Sequence, residues 1–325
     1  MNLTRRLAQA TLVVATLARA WAELPNNATT VWRRWLHCRS LHCRWQHWLS
    51  LVLLTLLVAC QSTTEKKVVT PTNTLVGLTP SNTKEWQPEL VVLPYAEFKR
   101  DHVTVRNIRN AMYLSEDAFI PRYYDKTVNL KDLVSVDFVM VPFADAPSLA
   151  HTMLSFGFRD GYHMIVSVEA RLERGEKYSP VNGALWQYEL MYVIGDERDL
   201  ILLRTKHRNV DVYVYPSSTA PQKARQLFVD ILRRTNELKD RPEFYHTISN
   251  NCTTNIVAHI NKIRPGTIPR DYRVLLPGYS DELAYELGLL DQSVPFHELK
   301  ARSRVTERAN RFADADDFSQ LIRRR

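Results

Sequence analysis

LAHTMLSFGF (149–158) and YHMIVSVEAR (162–171) are two strand-length apolar runs separated only by Arg159-Asp160-Gly161. An Asp-Gly step between such runs is a strong hairpin signal, and a hairpin commits the chain to adjacent antiparallel strands. A three-residue loop also sets the register. Position 158 then faces 162, and position 151 faces 169. His151 and Glu169 are thereby placed across one ladder, within side-chain reach. A two-residue loop would bring Ala170 opposite His151 instead. Further strand-like runs surround the hairpin: HVTVRNIR (102–109), LVSVDFVMVPF (133–143), WQYELMYVIG (186–195), LILLRTKH (200–207) and NVDVYVYP (209–216). Asp196-Glu197-Arg198-Asp199 reads as the turn between two of them. After residue 219 the apolar spacing becomes helical. Ala224, Leu227, Phe228, Ile231, Leu232 and Leu238 share one face, stopped by Pro242. Ile256, Val257, Ile260 and Ile263 mark a second helix, and 281–291 a third. Strands first and helices after predict an α+β fold, an antiparallel sheet packed by helices.

Residues 1–60 differ in charge. The chain carries a formal +8, and +6 of it lies here, from seven arginines against one glutamate. The rest holds only +2, a nearly balanced surface that gives no support to a nucleic-acid partner. VWRRWLHCRSLHCRWQHW (31–48) leads straight into LSLVLLTLLVAC (49–60). That apolar run is about half of the ~20 residues a membrane-spanning helix needs. It suits the apolar core of an export signal with a positive region ahead of it. Leu57-Val58-Ala59-Cys60 resembles a bacterial lipobox, in which the cysteine receives a diacylglyceryl group. Lipidation at Cys60 with loss of 1–59 is expected, an uncleaved membrane anchor being the alternative. The pairs His37-Cys38 and His42-Cys43 lie in this leader without further ligands elsewhere, so zinc is not expected there. Residues 61–85, polar and aperiodic, read as a flexible tether. The folded domain spans 86–297, beginning near Trp86, and 298–325 reads as a charged, solvated tail.

Cys252, in SNNCTTN (249–255), is the only cysteine after Cys60. An unpaired thiol in an oxidising compartment is a liability unless it is buried or used. Cys252 falls at the start of the second predicted helix, with Asn250 or Asn251 as N-cap. Free N–H groups and partial positive charge there favour the thiolate, the nucleophilic form. A thiolate nucleophile needs a base, and the base an orienter. His151 with Glu169 offers both. His259 is the rival, on the same helix face but ~10 Å along the axis. His246 is near in sequence but in a loop, and Glu169 has Arg171 as an alternative ion-pair partner. Amides around Cys252 and Thr253 would hold an oxyanion, with the side chains of Asn251 or Thr253 as added donors. Arg204 and Arg208, on an expected strand, either meet anionic head groups or are simply solvated. There is no glycine-rich phosphate loop and no ligand-spaced set of histidines, so neither cofactor nor metal is expected.

AHTMLSFGFRDGYHMIVSVEAR, YELMYVIGDERDLILLR, VDVYVYP, PEFYHTISNNCTTNIVAHIN and LLPGYSDELAYELGLLD follow one another between about residues 100 and 291. Together they resemble the Lnb-type periplasmic domain. The resemblance implies a lipoprotein N-acyltransferase activity. An acyl chain would move from a lipoprotein's own diacylglyceryl group to its α-amino group, leaving a lyso-form. It implies a nucleophile at Cys252 in the NC motif and a histidine at His151 in the AHT motif. The order His-then-Cys is also similar to circularly permuted papain-like folds, including the lecithin:retinol acyltransferase group. The implied core is therefore permuted papain-like, related to NlpC/P60 domains. Acyltransferase members of the family carry membrane helices after the domain. Here nothing after residue 60 approaches ~18 consecutive apolar residues, so a lipid anchor or the leader is the expected hold on the bilayer.

These readings converge on a periplasm-facing envelope protein, a cysteine-dependent acyltransferase or acyl hydrolase whose substrate is a membrane lipid or a bacterial lipoprotein. A papain-like envelope amidase or peptidase would keep the thiol and change the substrate. A lipid-anchored, non-catalytic binding protein would use neither.

Overall fold

The structure, a computed structural model, describes residues 79–116 and 118–324. The leader, Cys60 and most of the expected tether lie outside the described residues. The main sheet is formed by β1 (Tyr95–Lys99), β2 (His102–Arg109), β5 (Tyr123–Asn129), β6 (Leu133–Phe143), β7 (Ala146–Phe158), β8 (His163–Arg171), β9 (Glu189–Asp196) and β10 (Tyr213–Pro216). Its order is β1-β2-β9-β8-β7-β6-β10, with β5 paired to β2. β3 (Met112–Tyr113) and β4 (Phe119–Ile120) form a separate small hairpin. All pairings are antiparallel except a short parallel contact of β2 with β9 at Arg109 and Gly195. The expected α+β class is what the chain adopts.

The central hairpin has the expected register. Phe158 N–H donates to Tyr162 O at 2.9 Å, and Gly161 turns the chain at φ +84°, where a Cβ would be strained. Gly157 pairs with His163, and Met153 with Ser167, the last pair of the ladder. Beyond it β7 continues beside β6 alone, with His151 opposite Val141. The runs in β7, β8 and β9 are nearly continuous in apolar residues because both faces of the sheet are covered. On one face α3 (Pro221–Asp240) and α4 (Cys252–Ile263) set Leu227, Phe228, Ile231 and Ile256 against Leu154, Phe156, Val166 and Tyr192. On the other, Met153, Ile165 and Val193 pack against Leu200 and Ile201 and against C-terminal residues.

Three expectations fail. LILLRTKH (200–207) is not a strand. It belongs to α2 (Glu197–Leu202), which follows α1 (Pro180–Ala184), and to a π-helical turn, Leu203–His207. Asp196 is the N-cap, accepting from Arg198 N–H, and Glu197 and Asp199 occupy the acidic first turn. The charged tetrapeptide is thus a helix start, not a hairpin turn. The third predicted helix is also shorter. After α5 (Tyr272–Leu275), α6 covers Ser280–Glu286 and Gly288 follows in the left-handed region at φ +69°.

The charged tail is not solvated either. α7 (Phe296–Ser303), α8 (Thr306–Arg311) and α9 (Phe318–Leu321) bury Val305, Ala309, Phe318 and Ile322 against the sheet. Nor does the fold wait until Trp86. Ser81 N–H already bonds Glu189, and the buried Trp86 ring lies 4.1 Å from the Arg171 guanidinium.

Arg323 completes the packing. It donates to Asp137 at 2.9 Å and to both oxygens of Glu197 at 2.6 and 2.7 Å. Burial alone would push the Glu197 carboxyl up, but the charge and hydrogen bonds of Arg323 bring it down to about 2. Arg323→Ala would leave Glu197 buried and unpaired, so a loss of about 3–5 kcal/mol is expected in urea unfolding at neutral pH. Glu197 titrates below its ordinary 4.5 in the folded chain, so its stabilisation is complete above that pH. It fades as pH falls toward 2, and the gap between wild type and variant should narrow over the same range.

Candidate active site

The asparagines around Cys252 are structural. His246 and Asn250 exchange two backbone hydrogen bonds, at 3.0 and 2.9 Å, which close a tight turn before α4. Asn250 Nδ2 ties that turn to Phe244 O, and its Oδ1 accepts from Asn255. Asn251 is the N-cap. Its Oδ1 accepts from Thr254 N–H at 2.9 Å, and the Thr254 hydroxyl accepts from Asn251 N–H, a capping box. Cys252 is thereby the first residue of α4. Among the described residues nothing accepts from the amides of Cys252 or Thr253, which are the open donors of the helix start.

That helix end meets β7 just past the last β7–β8 pair. There the edge of β7 has no ladder partner on the β8 side, and the thiol occupies the space. Cys252 Sγ lies 4.0 Å from Ala150 O, and the backbone and hydroxyl of Thr152 help to lower the thiol's pKa. The Thr152 and Thr253 hydroxyls, 3.1 Å apart, fasten the helix to the strand.

His151 lies in the same stretch of β7. Its Nε2 is 2.6 Å from Ser167 Oγ and 3.2 Å from Glu169 Oε1. The imidazole also lies close enough to the Cys252 thiol for each group to shift the other's protonation. Glu169 Oε1 further accepts from Ser167 at 2.5 Å and from Arg204 at 3.1 Å. Burial would push this carboxyl up, but His151 and Arg204 outweigh it and hold it well below the usual carboxylate range. The same contest runs along the constellation. Burial would push the imidazole down, yet the Glu169 charge and the contact with Cys252 raise it to about 9. Burial would push the thiol up, yet His151 and the Thr152 groups bring it down to about 7. Between those values thiolate and imidazolium coexist, which is the reactive form of a Cys-His dyad.

The structure sets His151 beside Glu169, as the hairpin register predicts, and brings Cys252 to the same place. Three other residues are held as follows. Asn251 Oδ1 is taken by the cap, and one Nδ2 N–H is held by Thr247 O at 2.6 Å, which fixes the amide at the helix start. Thr253 keeps its hydroxyl 3.7 Å from Sγ while sharing it with Thr152. Arg204 is not a strand residue facing solvent. It is buried in the π turn, held by Leu200 O and Glu169, where it orients the carboxylate. Arg208 pairs with Glu116. His259 is set between Tyr192 and Asp230, at 2.9 and 2.7 Å, and His246 stacks on Trp186. Arg171 is bound to Leu90 O, Val91 O and Asn82, not to Glu169.

Ser167 was missed. The strand period could have found it, two residues before Glu169 on the same face. Tyr245 and Tyr178, 3.2 Å apart at their hydroxyls, were missed too. Both phenols are raised chiefly by burial, with the nearby Cys252 charge adding to it. They come from segments distant in sequence, and no spacing reveals them. Among the described residues no cluster of three or more His, Cys, Asp or Glu is arranged to hold a metal ion.

Cys252 should be alkylated by iodoacetamide with a midpoint near pH 7. In His151→Ala only burial and the Thr152 groups would remain, so the midpoint should rise toward or above 9, with a rate loss of at least about tenfold at pH 7.5. Glu169→Gln should move the alkaline limb of the ion-pair window downward, because it removes the charge that raises His151. A midpoint that stays put in His151→Ala would exclude the dyad.

Residues 120–278, which hold every member of this constellation, match the family described as the Lnb N-terminal periplasmic domain. Comparison with curated proteins and with solved structures gives no match. Among the described residues no helix is long and apolar enough to cross a membrane. Residues 120–278 are an Lnb N-terminal periplasmic domain, which supports a periplasmic, cell-envelope location for the chain that carries them.

Proposed function

We propose that the protein is a thiol acyltransferase or acyl hydrolase that takes an ester-linked acyl chain from a membrane lipid or a lipoprotein. The observation that carries the reading is a thiol lowered to about 7 at a helix start, beside an imidazole raised to about 9 by a carboxylate. Such a pair suits acyl chemistry at neutral pH. The motifs around Cys252 and His151, which resemble those of lipoprotein N-acyltransferases, favour an acyl ester over a peptide. The core on this reading is permuted papain-like, with the nucleophile helix set against the strand that bears the base.

His151 takes the proton of Sγ. The thiolate attacks the ester carbonyl, and its oxygen becomes an oxyanion facing the Cys252 and Thr253 amides. The C–O bond then breaks, and the departing alkoxide takes the proton back from His151. A thioester on Cys252 remains. An amine, or water, attacks it with His151 as base; the new C–N or C–O bond forms, the C–S bond breaks and the thiol is restored. Glu169, held by Ser167 and Arg204, keeps the imidazole oriented through both halves. On this reading Cys60 bears the lipid that holds the domain against the bilayer where such substrates lie.

The test is to incubate the purified domain with p-nitrophenyl hexadecanoate and follow the Cys252 peptide by mass spectrometry. A hexadecanoyl adduct is expected in wild type and not in Cys252→Ala. Adduct formation should slow by about 10²–10⁴-fold in His151→Ala. A diacylated lipopeptide with a free amine should discharge the adduct. Cleavage of muropeptides with no adduct would replace this function by an amidase, and absence of both would leave a binding protein.

A further inference from the structure

α4 has a second face. Cys252, Asn255 and His259 are buried, with Asn255 and His259 bonded to Tyr192 of the sheet. Thr253, Ile256, Val257, Ile260 and Ile263 form an adjoining stripe, in which Ile256 is packed into the core and the others lead away from it. The fold leaves that stripe half covered: Val257, Ile260 and Ile263 are only partly buried. Facing it is a cavity of about 580 Å³ between α4, the first turns of α3, β6 and α6. Phe138, Leu154, Leu227 and Leu283 supply its other walls.

We propose that this cavity seats one long unbranched acyl chain. The inference rests on the proposed function, in that the chain is the one delivered to Cys252. Position supports it first. Thr253 belongs to the cavity wall and its hydroxyl is 3.7 Å from Sγ, so the wall begins beside the reacting atom. Size supports it next. The space, about 580 Å³, has room for at least one long hydrocarbon chain. Chemistry decides between an acyl chain and a peptide. Half of the lining residues are Ile, Leu, Val or Phe, and the Ser217, Ser218, Ser280 and Thr253 hydroxyls that share the wall are already bonded within the protein, so a peptide laid there would bury amides with few partners, at a cost of several kcal/mol by apolar transfer. A hydrocarbon has no such requirement. Lys223 and Arg264, both exposed, stand where the lining meets solvent and suit a carboxylate or phosphate left outside.

The probe is cis-parinaric acid, an unbranched fatty acid whose fluorescence rises in a dry apolar site. Cys252→Ala, which removes the chemistry, should still bind it. Hexadecanoic acid should displace the probe at least 100-fold better than butanoic acid. Added to Cys252→Ala, Val257→Trp and Ala284→Phe, from facing walls, should each weaken binding at least tenfold. No binding to the wild-type protein, or equal displacement by the two acids from it, overturns the cavity assignment without reference to any variant's folding. The outcomes separate from those of the proposed function. Probe binding without any thioester on wild-type Cys252 sinks acyl transfer and keeps the cavity. Thioester formed equally fast from butanoyl and hexadecanoyl esters sinks the cavity and keeps the transfer.

Discussion

Glu169 carries a negative charge that burial opposes, and the surroundings of the site are arranged to keep it. A carboxylate there needs cations and donors, or it would take a proton and lose its influence on the imidazole. Arg204 brings the cation, Ser167 a hydroxyl proton, and His151 the group whose charge is wanted. Arg204 reaches Glu169 from the π turn that ends α2, an irregularity that often marks functional positions. α2 is fixed in turn by Asp199, which accepts from Arg109 at 3.0 Å, from Tyr113 and from the Ala111 amide. A chain of charge thus runs from the edge of β2 to the thiol, and each link is buried or partly so.

The Cys252 thiol meets a different problem. A sulfur placed among apolar side chains would keep its proton, because burial favours the neutral form. Here the helix start and the bare edge of β7 converge on it. The strand contributes the Thr152 amide and hydroxyl, and His151 contributes a cation. Two elements with unsatisfied backbone groups have been brought together so that one side chain uses both. The divergence of β7 from β8 after Met153 is what makes room for this, and it is a property of the backbone before it is a property of the site.

The hairpin register was legible because two apolar runs and an Asp-Gly step leave few alternatives, and with it came His151 and Glu169. Cys252 was legible from its polar neighbours. The cap was narrowed by sequence to Asn250 or Asn251, and only coordinates show that Asn251 takes it while Asn250 braces the preceding turn. Arg204 was misread because LILLRTKH carries enough β-branched and apolar residues to pass for a strand. The acidic first turn at 196–199 was the opposing signal, and it was taken for a turn. The tail misled through composition. Its arginines suggested solvent, yet Arg323 is drawn inward by two buried acids that lie 126 and 186 residues away in sequence. No local pattern encodes a partner at that distance.

The exposed turn at 159–161 touches none of the reacting groups, and most substitutions at its surface would be tolerated. Its length is another matter. One residue gained or lost there would turn every side chain of one strand to the opposite face of the other. The number of residues between Phe158 and Tyr162 therefore decides which side chain of β8 stands beside His151, although the loop lies at the far end of the hairpin from it.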